Sequence, residues 1–108
     1  NIKIAATTVR VPVLRSHSES IMVETQKKLS LQEIKEAFKK APGVVLQDNP
    51  DKKEYPMPFF TSETDDIAVG RIREDLSSDN GICLWVAGDQ LLKGAALNTV
   101  QIAELLLK

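Results

Sequence analysis

Ser30-Leu31-Gln32-Glu33 constrains this chain more than any other four residues, because it fixes where a helix starts. A serine followed three residues later by glutamate is a capping box, and Leu29 and Ile34 occupy the two positions of a hydrophobic staple. Leu31, Ile34, Phe38 and Ala41 then fall on one face, and Pro42-Gly43 stops the run, so the spacing predicts a helix over 29–41. Lys35, Lys39 and Lys40 form its solvated side.

Period-two alternation surrounds that helix. Val9, Val11 and Val13 alternate with Arg10, Pro12 and Leu14, which places one or two strands within 2–14, with Pro12 at a sheet edge because it lacks an N–H. Further strands are predicted at Ser20–Thr25, Val44–Leu46, Ile67–Arg73 and Ile82–Ala87, the last two joined through the turn Ser77-Ser78-Asp79-Asn80-Gly81. In the third of these, Arg71 and Arg73 share a strand face. Prolines at 50, 56 and 58 forbid regular helix there, and the segment 47–64 reads as an ordered surface excursion, a mobile flap or part of an interface. Gly94–Lys108 reads as a helix with an apolar face through Ala96, Val100, Ala103 and Leu107. The fold class is therefore α+β: a mixed, largely antiparallel sheet with helices packed on one face, plus a C-terminal helix.

Composition excludes several functions. With 43% hydrophobic and 27% charged residues the chain is neither a disordered tail nor a membrane protein, and no apolar run spans a bilayer. Fourteen basic against fifteen acidic residues leave a formal charge of −1, so no overall field recruits nucleic acid. The single cysteine, Cys83, cannot form an internal disulfide, and no signal-peptide pattern is present, which fits a cytoplasmic location. Asn1 stands where an initiator methionine would, and strand-like sequence follows directly, as expected of a piece of a longer polypeptide.

Chemically capable side chains concentrate in Val9–Ser20. Arg10 on a strand and His17 in a Ser-His-Ser turn between strands form a pair able to grip an anion and move a proton; the residues alone equally describe a surface ion-pair partner and a solvated histidine. Cys83 has no basic partner or helix start beside it and reads as core filler, as does Trp85. Glu63, Asp65 and Asp66 lack the spacing of a metal site, and no metal is expected.

The stretch Arg-Val-Pro-Val-Leu-Arg-Ser-His-Ser-Glu over 10–19 resembles the substrate segment of aspartate-semialdehyde dehydrogenase. The likeness resumes at Val69-Gly70-Arg71-Ile72-Arg73, runs through Leu84-Trp85-Val86-Ala87-Gly88-Asp89-Gln90-Leu91-Leu92-Lys93-Gly94-Ala95-Ala96 and reaches Val100-Gln101-Ile102-Ala103-Glu104. The resemblance implies a C-terminal segment of that longer enzyme, with 1–93 part of the catalytic and dimerisation domain and 94–108 a helix against a nucleotide-binding domain. It also implies NADP as cofactor, aspartate semialdehyde and phosphate as substrates, a cysteine thioester, and a place in lysine, methionine, threonine and isoleucine biosynthesis. The assembly it implies is a homodimer or homotetramer. By matching position His17 resembles the general acid/base, Arg10 the residue holding the substrate α-carboxylate, and Gln90 a contact on the nicotinamide side. The family's Asn-Cys-Thr-type nucleophile motif and a Gly-x-Gly-x-x-Gly sequence are both missing from these 108 residues, so the chain alone is expected to be inactive. The alternative is a dimerising or regulatory module with this fold and no catalysis.

Overall fold

A computed structural model describes residues 7–107. Its centre is a four-stranded sheet in the order β1-β4-β3-β2, with β1 at His17–Glu24, β2 at Val44–Leu46, β3 at Ile67–Glu74 and β4 at Gly81–Gly88. The two β4 pairings are antiparallel and β2 runs parallel to β3. Helix α1 (Leu31–Lys40) connects β1 to β2, α2 (Pro58–Thr61) is one turn, and a π-helical turn at Leu92–Ala96 leads into α3 (Leu97–Leu106). This is the α+β architecture anticipated from the sequence.

The capping box forms as read: Ser30 Oγ accepts the Glu33 N–H at 3.2 Å, and Glu33 Oε2 accepts the Ser30 N–H at 2.8 Å. Ile34 on the inner face of α1 is buried among Val69, Ile72, Ile82 and Leu84, with Leu31 and Phe38 beside it. Alternation along β4 sends Leu84 to this core and Trp85 to the opposite face, where its Nε1–H donates to the Pro56 carbonyl at 3.2 Å. Lys35 is not simply solvated, because its Nζ meets Asp48 Oδ2 at 2.8 Å and ties α1 to the segment after β2.

Several expectations change. Among the described residues, 9–14 belong to no strand; Val9, Val11, Val13 and Leu14 are exposed, and no ladder partner lies beside them. The alternation was present without a neighbour to use it, so Arg10 lies in an exposed extended segment. Residues 1–6 of the predicted strands fall outside the described part. His17 is the first residue of β1, which begins earlier than the predicted Ser20, and its pairing with Gly88 draws it into the sheet.

A bulge interrupts β3 between Gly70 and Arg73, where Arg71 adopts φ 52°. The extra residue sends Ile72 to the core and leaves Arg73 opposite Cys83, on the face away from it. Arg71 donates its N–H to Asp48 Oδ1 at 2.8 Å and places its guanidinium 5.8 Å from the Tyr55 ring centre. Glycine is required next to this bulge: a Cβ on Gly70 would collide with the Gln47 carbonyl oxygen and approach Pro56 Cδ to 2.7 Å. The prolines permit one helical turn after all, since Pro58 stands at its first position, where the missing N–H has no partner to lose.

Candidate functional site

Antiparallel pairing of β1 with β4 brings the start of one strand to the end of the other. His17 lies opposite Gly88, and two residues further Gln90 sits in the turn that leads into the π-helical segment Leu92–Ala96. Between that segment and the sheet is a cavity of about 580 Å³. His17 and Glu19 line it from β1, with Ile67, Val86, Gly88 and Asp89 beside them and Gln90, Lys93, Gly94 and Asn98 bordering it from the segment after β4, and it is open to solvent. The structure thus joins two of the three residues singled out from sequence, His17 and Gln90. Arg10 is exposed and is not among the residues lining this cavity.

The cavity presents polar groups beside the apolar Ile67 and Val86. His17 is exposed toward it. Gln90 Oε1 is buried with no hydrogen-bond partner among the described residues. Lys93 Nζ donates to Gln101 Oε1, so its cation faces a neutral amide. Cys83 lies on the other side of the sheet: it is five residues from Gly88 along β4, an odd number that reverses the face, at a separation of about 17 Å for a strand rise near 3.4 Å. It cannot serve as a nucleophile for His17.

Beneath the cavity runs a polar cluster that sequence reading missed. Asp89 is fully buried, and its Oδ2 accepts the Glu63 N–H at 2.7 Å while Oδ1 accepts the Leu91 N–H at 2.9 Å. Arg15 Nε stands 2.6 Å from Oδ2, and its Nη1 reaches Glu63 Oε1 at 3.3 Å. Burial pushes the Asp89 carboxyl up, but the two backbone N–H groups and the Arg15 guanidinium outweigh it and hold the carboxyl below its ordinary range. Ser16, also buried, donates from Oγ to the Gly88 carbonyl at 2.8 Å and shares a 2.6 Å hydrogen bond with Thr61 Oγ1. Arg15 is an ordinary charge in sequence and Asp89 an ordinary loop acid; their partnership spans 74 positions and leaves no local signature. Glu63, considered among the acidic residues for a metal, instead serves this cluster, and among the described residues no group of three or more His, Cys, Asp or Glu is placed to hold an ion.

The sequence and the fold find their counterparts in known proteins. Residues 1–93 match the family described as "Semialdehyde dehydrogenase, dimerisation domain", and the chain belongs to that family. Among its relatives, the aspartate-semialdehyde dehydrogenase of Aquifex aeolicus (strain VF5) is 53% identical over 108 residues, all of this chain and 32% of the relative. That of Bacillus subtilis (strain 168) is 50% identical over 109 residues, again spanning 32% of the relative. The crystal structure of aspartate semialdehyde dehydrogenase II from Vibrio cholerae complexed with ASA superposes with a TM-score of 0.83 at 37% identity, covering 90% of this chain and 28% of that one. The chain therefore spans about a third of the length of the curated relatives it matches.

Proposed function

We propose that this chain is the part of an NADP-dependent aspartate-semialdehyde dehydrogenase that supplies the acid/base and half of the cofactor pocket, in a reaction that interconverts aspartate semialdehyde plus phosphate with aspartyl phosphate. The observation that carries the proposal is the convergence of His17 and Gln90, 73 positions apart, on one cavity. In this reading His17 takes the thiol proton of a cysteine supplied from elsewhere in the longer polypeptide, and returns it as the thioester is made and broken; an imidazole suits both directions. Arg10 grips the substrate α-carboxylate with its planar fork. The relative solved with ASA supports a substrate of this class.

The cavity residues fit a nicotinamide cofactor. Gln90 contributes a side-chain amide, the chemical partner of a carboxamide, and Lys93 a cation to the lining of the same space. When bound, the nicotinamide supplies hydride acceptance; Gln90 and Lys93 would hold it, with Ile67 and Val86 giving apolar contact.

Residues 94–108 pack against a nucleotide-binding domain in this reading, which accounts for the exposure of Val100, Ile102, Leu105, Leu106 and Leu107 along α3. The whole enzyme works as a cytoplasmic homodimer or homotetramer in lysine, methionine, threonine and isoleucine biosynthesis. No described helix is long and apolar enough to cross a membrane.

The test uses the full-length polypeptide carrying this segment. Phosphate-dependent formation of NADPH from aspartate semialdehyde is expected, and His17→Gln lowers its turnover by roughly two to four powers of ten with folding intact, the scale for a positioned acid/base. The 108-residue chain alone is expected to show no turnover. An inactive full-length protein, or an unaffected His17→Gln variant, counts against the reading and favours a non-catalytic module.

A further inference from the structure

Ser16 at φ 79° and Glu63 at φ 65° both adopt left-handed backbone without being glycine, and both are held by the same cluster. Such conformations are unfavourable for residues with a Cβ and persist only where their surroundings over-determine them, most often at functional sites. Here the surroundings are explicit. Ser16 is tied through Oγ to the Gly88 carbonyl and to Thr61, while Glu63 is tied through its N–H to Asp89 and through its carboxylate to Arg15. Ser16 immediately precedes His17, and Asp89 immediately precedes Gln90.

The ion pair at the centre is an unpromising source of stability alone. Burying a carboxylate forfeits hydration that its partners largely replace, so net gains from such pairs are small, whereas their geometric demands are strict. Arg15 and Asp89 face each other, 2.6 Å apart, where the entry to β1, the exit of β4 and the turn after α2 come together. Arg15 also faces two carboxylates, Asp89 and Glu63, which separates its role from that given to Arg10.

We propose that the Arg15–Asp89 pair is a positioning device: it locks the backbone before His17 to the backbone before Gln90, so that the proton carrier and the cofactor-facing amide keep a fixed separation across the cavity. The functional roles of those two residues rest on the reading above, whereas the locking itself does not. Neither Arg15 nor Asp89 touches the reacting atoms. The Asp89 carboxylate accepts two backbone N–H groups and lies 2.6 Å from Arg15 Nε, and an asparagine would turn an N–H2 toward donors on one side, loosening the junction without removing any bulk.

The experiment compares Asp89→Asn and Arg15→Gln with the wild type in the full-length protein, using two readouts. One is the imidazole NMR resonance of His17, assigned by its loss in His17→Gln, which reports placement whether or not the protein is active. The other is the split between kcat and KM for aspartate semialdehyde. Both variants are expected to displace the His17 resonance and to lower kcat by roughly 10- to 100-fold with KM changed less than about three-fold, the consequence of misplacing a catalytic group by a fraction of a bond length to an ångström. Because Arg15 is partly exposed and Asp89 keeps its backbone donors when Arg15 is replaced, Arg15→Gln carries the test if Asp89→Asn fails to fold. An unmoved resonance in a folded variant, an unchanged kcat, or a loss expressed wholly in KM overturns the proposal. A wild type with no activity would overturn the functional reading instead, and the resonance alone would then decide the locking.

Discussion

Replacing Gly70 with alanine adds a single methyl group at the point where the chain after β2 crosses β3, and its effect can be worked out from the neighbours. The new Cβ would collide with the Gln47 carbonyl oxygen and sit 2.7 Å from Pro56 Cδ. Neither neighbour gives way freely: the Gln47 N–H donates to the Val69 carbonyl at 2.8 Å, and the fully buried Pro56 uses its own carbonyl to hold Trp85 at 3.2 Å. Overpacking of this kind costs about 1–3 kcal/mol, losing the Gln47 bond adds about 1, and the lower entropy of the unfolded alanine chain returns about 0.4–1. A net loss of roughly 2 kcal/mol lowers the Tm of a domain near this size by roughly 10 °C. Gly94→Ala is the internal control, because its Cβ would meet only Gln90 Cβ at 3.5 Å, inside a helical turn. There the same methyl is expected to raise stability by roughly 0.5–1 kcal/mol. Differential scanning calorimetry of the two variants should therefore give shifts of opposite sign. A Gly70→Ala variant as stable as wild type would show that the crossing is not close-packed and would refute the reasoning.

Ser30→Ala removes the acceptor for the Glu33 N–H and should destabilise the protein by about 1 kcal/mol in chemical unfolding, with less loss in Ser30→Gly. Asp89 makes stability depend on acid. Its folded carboxyl titrates below the ordinary value, so its contribution is complete above pH ~4 and disappears as pH falls through the folded value. The acid limb of an unfolding titration should accordingly be flatter in Asp89→Asn than in wild type. Arg10→Lys, measured in the full-length enzyme, is expected to raise KM for aspartate semialdehyde more than it lowers kcat, since a point charge replaces a bidentate fork.

What the sequence revealed depended on how local the cause was. The cap of α1, the hairpin between β3 and β4 and the apolar stripe through Ile34 are decided by residues within a few positions of each other, and they form as read. Alternation over Val9–Leu14 is just as local, yet a strand also needs a partner, and the described residues provide none. The bulge at Arg71 is invisible to periodicity because its reason lies elsewhere, in Asp48 and in the chain crossing at Gly70. For the site, resemblance singled out His17 and Gln90, and the sheet register places them together. The clamp beneath them, Arg15, Ser16, Thr61, Glu63 and Asp89, could be found only once the three segments were assembled.

The pairing of His17 with Gly88 also bears on the order of events during synthesis and folding. Helix α1 closes its cap across three residues, whereas the hydrogen bond from Ser16 to Gly88 spans 72 positions and cannot exist until β4 has left the ribosome. Contacts of such long separation must overcome a large loop-closure entropy before they contribute, and they form slowly. A chain released or cleaved before Gly88 would retain a capped helix and much of its apolar core while having nothing to set its histidine. In the proposed reading, the surroundings of His17 are complete only once both ends of this segment have found each other.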